Sequence, residues 1–147
     1  LSNDSYRVYT LLGDGEIQEG QVWEAAMFAG HRKLDNLCVI VDNNGLQIDG
    51  KIEDICSPYP IGDKFKAFNF HVVDVADGND MAQLRAAFAE AKKTKGQPTA
   101  IIMKTVKGKC VSFMENQAGW HGKAPNDEEY AIAMEDLKKA GEALCQK

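Results

Sequence analysis

The sequence predicts an α/β fold in which a parallel sheet is flanked by helices. Apolar, β-rich segments alternate along the chain with segments whose apolar residues recur at helical spacing. Leu37–Val41 (LCVIV) is a continuous apolar run, which is typical of a strand buried on both faces. The 147 residues are enough for one domain with a sizeable core, so residues 1–147 are predicted to form a single domain.

Each element follows from its own pattern. The predicted strands are Tyr6–Leu12, Leu37–Val41, Phe70–Val75 and Thr99–Thr105. The predicted helices are Gly20–Lys33, a short Ile61–Phe68, Asp80–Lys93 and Asp127–Leu144, the last with Asn126 or Asp127 as its N-cap. Asp42–Gly50 and Lys107–Pro125 are rich in turn residues or glycine, and both are predicted to be loops.

The loops that follow three of these strands have unusual compositions. Gly13–Gly20 (GDGEIQEG) follows the first strand, Asp42–Gly50 (DNNGLQIDG) the second and Lys107–Pro125 the fourth. Ligands of parallel α/β sheets bind beyond the carboxyl ends of the strands. We therefore expect the three loops to form one binding site at that edge of the sheet.

The first of these loops places acids among glycines. An isolated Gly13-Asp14-Gly15 is most often a tight turn in which the aspartate caps the next helix. A dinucleotide-binding fingerprint would need glycine where Gln18 stands. An EF-hand reading of the second loop fails, because Leu46 falls where an oxygen ligand is required. Neither of these two motifs therefore accounts for the loops.

A carboxylate beside a bound diphosphate is repulsive unless a cation lies between them. Mg²⁺ binds carboxylate and amide oxygens together with phosphate oxygens. Asp14 offers a carboxylate, and Asn43 and Asn44 offer amide oxygens at the end of the neighbouring strand. Backbone carbonyls of Gly45 and Leu46 would complete the set. The alternative for the Asn-Asn-Gly stretch is an ordinary turn.

The bulk composition disfavours several other classes of protein. The net charge of −5 and the scattered lysines argue against a nucleic-acid surface. No apolar run approaches the length of about 18 residues that a membrane span needs, and no signal peptide is visible. The four cysteines form no C-x-x-C pair, so zinc is disfavoured and a reduced, cytoplasmic protein is predicted.

The pairing of Gly13-Asp14-Gly15 with Asn43-Asn44, at this spacing and after an apolar strand, resembles the thiamine diphosphate-binding motif. The longer segment Gly13–Ile55 is similar to transketolases, above all to the N-terminal subunit of split transketolases. The similarity continues through Lys107-Gly108-Lys109 and Trp120-His121-Gly122, so it covers nearly the whole chain.

One short stretch separates the transketolases from their relatives. Ile48-Asp49-Gly50 followed by Glu53-Asp54 favours transketolase over deoxyxylulose phosphate synthase. The same stretch disfavours the α subunit of 2-oxo acid dehydrogenases and the acetolactate synthase group. The resemblance therefore implies the diphosphate-binding domain of a thiamine diphosphate enzyme of the transketolase type.

The resemblance implies that this domain holds thiamine diphosphate with Mg²⁺, or with Ca²⁺ as a substitute. The Asp14 and Asn44 side chains and the Leu46 carbonyl would be the metal ligands. Gly15 would donate its N–H to the diphosphate, and Ile48 would pack near the thiazolium ring. The complete implied cofactor-binding set is Gly13, Asp14, Gly15, Glu16, Asn44, Leu46, Ile48 and His121.

The resemblance also implies a catalytic set. His121 would face the diphosphate and the reacting carbon of the substrate. Glu19 and Glu24 match an acidic pair at the subunit interface between two cofactor sites. From the residues alone these two acids are equally typical of a solvated first helical turn. Cys110 stands where the family usually has glycine, and its Cβ excludes some of the conformations open to glycine.

The implied reaction moves a two-carbon ketol unit between sugar phosphates, as in the pentose phosphate pathway. It would require a separate pyrimidine-binding, C-terminal subunit or domain, and hence a homo- or hetero-oligomer. The family's stretch before the first strand, with histidines that contact substrate and cofactor, is not in this sequence. A partial domain, inactive alone, is therefore predicted. The alternatives are another thiamine diphosphate enzyme, of dihydroxyacetone synthase or deoxyxylulose phosphate synthase type, and a non-catalytic fragment or interaction subunit that keeps the fold.

Overall fold

The computed structural model describes residues 4–145 and confirms the predicted parallel sheet flanked by helices. Two single 3-10 turns, Glu16–Gln18 and Ala118–Trp120, lie in the loops after the first and last strands of the sheet. The remaining elements, in chain order, are β1 (Val8–Gly13), α1 (Gly20–His31), β2 (Leu37–Asn43), β3 (Leu46–Gln47), β4 (Gly50–Lys51), α2 (Ile52–Cys56), α3 (Ile61–Ala67), β5 (His71–Val75), α4 (Met81–Lys93), β6 (Thr99–Lys104) and α5 (Asp127–Cys145).

The main sheet has four parallel strands in the order β1-β2-β6-β5. Gly13 at the end of β1 lies opposite Asp42 in β2, and Asp42 in turn lies opposite Met103 in β6. Because these three carboxyl ends are in register, the loops that leave them start at the same edge of the sheet. This register places the predicted site loops side by side.

Each face of the sheet has its own apolar core. On one face α1 and α3 contribute Ala26 and Phe65 to a cluster that includes Val39 and Val41 of β2. On the other face α4 contributes Ala87 to a cluster built around Ile101. The central strands are therefore covered on both sides, as the continuous apolar run at Leu37–Val41 predicts.

The ends of the helices follow local sequence signals. The Asp80 carboxylate accepts the N–H of Ala82 at 2.7 Å and caps α4. Asn126 caps α5 in a reciprocal box, in which its Oδ1 accepts the N–H of Glu129 at 2.8 Å and Glu129 Oε2 accepts the N–H of Asn126 at 2.9 Å. Of the two predicted caps for α5, Asn126 is confirmed. The residue that precedes α1 is Glu19, so Asp14 does not cap this helix.

The prediction that Asp42–Gly50 is an irregular loop is wrong. β2 continues to Asn43 because it pairs with β6 as far as Lys104. The next residues form the short antiparallel pair β3–β4. Its turn is held by a side chain, since Gln47 Oε1 accepts the N–H of Asp49 at 3.0 Å. The helix α2 follows directly, and no helix was predicted there.

β1 lies at one edge of the main sheet. Within residues 4–145 it pairs only with β2. Three apolar side chains of β1 itself, Val8, Tyr9 and Leu11, are exposed. The apolar side chains from which the strand is predicted are therefore only partly covered within residues 4–145.

Two further sequence expectations concern cysteines and membranes. The cysteines at 38, 56, 110 and 145 are all free thiols. None of the helices within the described range combines the length with the apolar character that crossing a bilayer requires.

Ile101 provides a test of the packing in the centre of the sheet. Its side chain has 0% exposure, so Ile101→Ala should lower the free energy of unfolding by about 2–5 kcal/mol through lost burial and a residual cavity. Ile132 on α5 is 51% exposed and is the matched control, with an expected loss of about 0.5 kcal/mol. Urea denaturation measures both values, and equal losses would contradict this description of the core.

Candidate functional site

The carboxylate of Asp14 joins the first two loops. Its side chain is only 1% exposed. Oδ1 accepts the N–H of Gly15 at 2.9 Å, and Oδ2 accepts the N–H of Gly45 at 2.6 Å. The Asp14 N–H donates to the Asp42 carbonyl at 3.0 Å. Asp14, a residue of the first loop, is thus held by backbone groups of the first and the second loop.

The surroundings of Asp14 make its ionised form more costly than that of a free carboxyl. Burial raises the pKa of its carboxyl, and the Asp42 carboxylate acts in the same direction. The N–H groups of Gly45 and Gly15 oppose both effects but do not cancel them. A cation placed beside this carboxylate would offset the cost of ionising it, which is the electrostatic setting of a metal ligand.

Asn44 is oriented by its neighbours in the second loop. Its Oδ1 accepts the N–H of Leu46 at 3.0 Å, and its Nδ2 donates to Asp42 Oδ1 at 3.2 Å. The hydroxyl of Thr105 donates to the same Asp42 oxygen, and the N–H of Thr105 donates to the Asn43 carbonyl at 3.2 Å. Thr105, the residue that follows β6, therefore holds the beginning of the second loop.

A cavity of about 520 Å³ lies between the three loops. It brings together every predicted cofactor residue and Glu19, whereas Glu24 lies outside it on the exposed side of α1. Three further residues line it that were not among the predicted site residues, namely Gln18, Gln47 and Lys107. The predicted members of the lining are Gly13, Asp14, Gly15, Glu16, Glu19, Asn44, Leu46, Ile48 and His121.

Lys107 adds a cationic side chain to a cavity lined by several acids. The Lys107 ammonium lies 3.4 Å from His121 Nδ1, so both face the same part of the cavity. A diphosphate entering a space lined by Asp14, Glu16 and Glu19 needs such a positive group. The sequence signal was available, because Lys107 opens the loop after β6 at the carboxyl edge of the sheet.

Two of the predicted residues are engaged differently from expectation. The Gly15 N–H, expected to face a diphosphate, donates to the neighbouring Asp14 carboxylate. Glu16 folds back over the turn, where its Oε2 accepts the N–H of Gly13 at 3.1 Å. The acids of this loop therefore satisfy several of its own backbone donors, which is how a glycine-rich turn can carry so many carboxylates.

His121 follows a firmly anchored aromatic residue. The Trp120 indole N–H donates to the Phe113 carbonyl at 3.1 Å, and the two rings pack with centroids 5.1 Å apart. The Lys123 ammonium lies 4.1 Å from the centre of the Trp120 ring, within cation–π range. These contacts hold the third loop in place at the point where its histidine reaches the cavity.

Cys110 keeps a backbone conformation that usually belongs to glycine. Its φ is +71°, in the left-handed region, although its Cβ makes that region costly. Its N–H donates to Glu115 Oε1 at 2.8 Å, which helps to hold the turn. Cys110 therefore replaces the family's usual glycine without leaving the left-handed backbone conformation.

The donor set of the cavity fits a hard divalent cation. Asp14 offers a carboxylate, Asn44 an amide oxygen and Leu46 a backbone carbonyl, all lining one space. Oxygen donors of these kinds suit Mg²⁺ or Ca²⁺. Within residues 4–145 no three His, Cys, Asp or Glu side chains are grouped as metal ligands, so the donors named above include an amide and a backbone carbonyl.

Comparison with known proteins defines the class of this fold and site. Residues 2–141 match the family model described as "Transketolase, thiamine diphosphate binding domain". The α/β domain with its cavity at the carboxyl edge is thus a thiamine diphosphate-binding domain. The chain belongs to the transketolase family.

The individual relatives agree with this membership. The chain is 42% identical over 134 residues to the 6-deoxy-6-sulfo-D-fructose transketolase subunit of Clostridium sp. (strain MSTE9), a match that covers 91% of this chain and 48% of that protein. It is 39% identical over 144 residues to an apulose-4-phosphate transketolase subunit of Phocaeicola vulgatus, covering 98% and 51%. The chain thus spans about half the length of these split relatives.

The fold is similar to that of solved transketolases. The structure superposes on the transketolase of Campylobacter jejuni with a TM-score of 0.83 and 33% identity, covering 89% of this chain and 20% of that one. The human transketolase is 44% identical over 126 residues, which is 81% of this chain and 18% of the human protein.

Gly15 tests how closely the first loop approaches the β3–β4 pair. A Cβ added at Gly15 would lie 2.8 Å from Gln47 Cβ, so Gly15→Ala should force the two segments apart and lower the free energy of unfolding by about 1–3 kcal/mol. Gly13→Ala is the matched control, because its nearest contact would be 3.9 Å away and its expected change is within about 0.5 kcal/mol. Urea denaturation compares them, and a neutral Gly15→Ala would disprove this close approach.

Proposed function

We propose that this chain is the diphosphate-binding part of a transketolase, which transfers a two-carbon ketol unit between anionic sugars with thiamine diphosphate and Mg²⁺. The observation that supports this most strongly is the buried Asp14 carboxylate, shared between Gly15 of the first loop and Gly45 of the second beside one cavity. Family membership gives the cofactor class.

The metal would be held by the Asp14 and Asn44 side chains and the Leu46 carbonyl, with Mg²⁺ as the proposed ion. Its charge offsets both the Asp14 carboxylate and the diphosphate, which would otherwise repel each other. Lys107 adds a second positive group to the lining of the cavity. The metal and Lys107 would together offset the negative charge of the diphosphate.

When bound, thiamine diphosphate supplies the stabilised carbanion that ketol transfer requires. The residues of this chain orient and enclose the reacting groups. Ile48, 69% exposed at the rim, offers an apolar surface for a ring above the diphosphate. His121 presents its imidazole across the same cavity, where it can donate a hydrogen bond to a substrate oxygen. Both histidine and lysine in one cavity favour a catalytic role over a non-catalytic interaction subunit.

The substrates are proposed to be sugars that carry an anionic group. The split relatives are named for 6-deoxy-6-sulfo-D-fructose and for apulose 4-phosphate, whose names specify a sulfonate and a phosphate. Sugar phosphates of the pentose phosphate pathway belong to the same chemical class. Free cysteines throughout residues 4–145 fit a reducing, cytoplasmic setting for this activity.

The partner is proposed to be a pyrimidine-binding subunit or domain that docks on α1, giving a hetero- or homo-oligomer. The relatives' designation as subunits supports this. On α1 the exposed face carries Glu24, Met27 and Phe28 at helical spacing, and Glu19 lies just before the helix at the cavity. This face, defined as Glu24, Met27 and Phe28, combines apolar area with an acid and continues from the cofactor cavity.

Asp14→Ala tests the metal clamp. In the protein with its partner subunit, thiamine diphosphate should raise the melting temperature in a way that depends on Mg²⁺, because binding stabilises the folded state. Asp14→Ala should abolish the part of this shift that depends on Mg²⁺. The control is Asp63→Ala, since Asp63 is exposed and paired with Lys66 outside the cavity. A shift in Asp14→Ala that retains its metal dependence would refute the ligand assignment, and no shift in the native protein would refute the cofactor site.

Met27→Glu tests the docking face. A glutamate there would be buried unpaired against the partner, so the affinity between subunits should fall about tenfold or more. Met81→Glu is the matched control, because Met81 is as exposed as Met27, at 62% against 59%, and lies on α4 across the sheet. Analytical ultracentrifugation of the mixed subunits measures both affinities. Equal affinities for the two variants would contradict docking on α1.

A further inference from the structure

A hydrogen bond ties the second site loop to the body of the domain. The Tyr59 hydroxyl donates to Asn43 Oδ1 at 2.6 Å. Asn43 is the last residue of β2 and immediately precedes Asn44, whose side chain lines the cavity. The Tyr59 ring packs against the apolar cluster formed by α1, α3 and the sheet. Because the ring is packed, the position of the Tyr59 hydroxyl is fixed by the core of the domain.

The segment 46–60 leaves the cavity and returns to α3, and three of the hydrogen bonds that hold it involve Ile52, Cys56 and Tyr59. The N–H of Ile52 donates to the Gly45 carbonyl at 3.0 Å. The Gln18 side chain donates to the Cys56 carbonyl at 2.5 Å. Both of these bonds use backbone carbonyls. Only the third, between Tyr59 and Asn43, joins two side chains and so depends on the identity of both residues.

The position of Asn43 influences the orientation of the next residues, Asn44 and Gly45. Its carbonyl accepts the N–H of Thr105, so one side of this peptide is fixed by the loop after β6. Its side chain, held by Tyr59, fixes the other side. The peptides that follow carry the Asn44 amide and the Gly45 N–H that reaches Asp14. Loss of the Tyr59 bond would remove the side-chain anchor at the residue that precedes this turn.

We propose that Tyr59 is a positioning residue, which presets the Asn44–Leu46 turn for the metal through its bond to Asn43. The inference rests on the proposed function, because the ion it serves is the one that Asp14, Asn44 and Leu46 would hold. Tyr59 itself does not line the cavity. It acts by restricting the free protein to the arrangement that binds, which raises affinity by reducing the ordering cost of binding.

The protonation of Tyr59 suits this role. Burial raises the pKa of its phenol, and the negative charges of Asp14 and Glu53 raise it further. The bond to Asn43 opposes these effects. The hydroxyl therefore keeps its proton at neutral and mildly alkaline pH and remains a donor to the side-chain amide oxygen of Asn43.

Tyr59→Phe is the decisive variant, because it removes the hydroxyl and keeps the ring that packs on the core. Two measurements are made on it. The first is amide hydrogen exchange in the cofactor-free protein, where the Gly45 and Leu46 N–H groups should exchange about two- to tenfold faster, the effect of one lost hydrogen bond. The second is the Mg²⁺ concentration that half-saturates the thermal shift with thiamine diphosphate in the assembled protein, which should rise by a similar factor.

Four further variants separate positioning from general stability. Asn43→Ala should match Tyr59→Phe, and the double variant should be no worse than either, since both remove one bond. Asn43→Asp retains an acceptor and should restore slow exchange at Gly45. Tyr130→Phe removes a hydroxyl from an exposed tyrosine on α5 and should change neither measurement.

The outcomes distinguish the two proposals. Fast exchange at Gly45 and Leu46 together with weaker Mg²⁺ binding supports the role of Tyr59. Unchanged exchange and Mg²⁺ dependence, or additive effects in the double variant, would overturn it. If the native protein shows no Mg²⁺-dependent shift, the proposed function fails and the positioning role for a metal fails with it, even where fast exchange shows that the hydrogen bond itself exists.

Discussion

The buried Asp14 carboxylate is the interaction on which the arrangement of the site depends. It is the point where the loop after β1 and the loop after β2 meet, because its two oxygens accept N–H groups from one residue of each. A buried acceptor of this kind must be satisfied, so the two loops cannot separate without a large penalty. The same burial makes the ionised form of Asp14 costly. A cation bound beside the carboxylate would lower this cost, and the interaction would therefore favour binding of the cation.

The charges around the cavity follow from that constraint. Three acids of the first loop line the cavity. The Asp14 and Glu16 carboxylates accept backbone N–H groups, and Glu19 precedes α1. Lys107 and His121 belong to the third loop, and their nitrogen atoms lie 3.4 Å apart at the same cavity. The cavity therefore combines the acids of the first loop with nitrogen groups of the third loop, a set that suits a metal together with phosphate and substrate oxygens.

Much of this could be predicted from the sequence, and the parts that could not share a physical cause. The buried strand at Leu37–Val41, the cap at Asn126 and the meeting of Asp14 with Asn44 depend on local pattern and on the general rule for parallel sheets. The β3–β4 pair and α2 are too short for any periodicity to build up. The contacts of Lys107 with His121 and of Tyr59 with Asn43 join residues 14 and 16 positions apart, and only the completed fold sets their distances.

The shared register of Gly13, Asp42 and Met103 also limits how this sequence can change in length. Deleting one residue inside β2 would reverse the facing of Val39 and Val41 and turn Asp42 away from Thr105. An insertion at the opposite edge of the sheet, in 33–35 or 94–97, would leave the register at the cavity unchanged, because those connections precede the residues that pair in the sheet. Length variation among natural versions of this domain should therefore collect at the amino-terminal edge of the sheet.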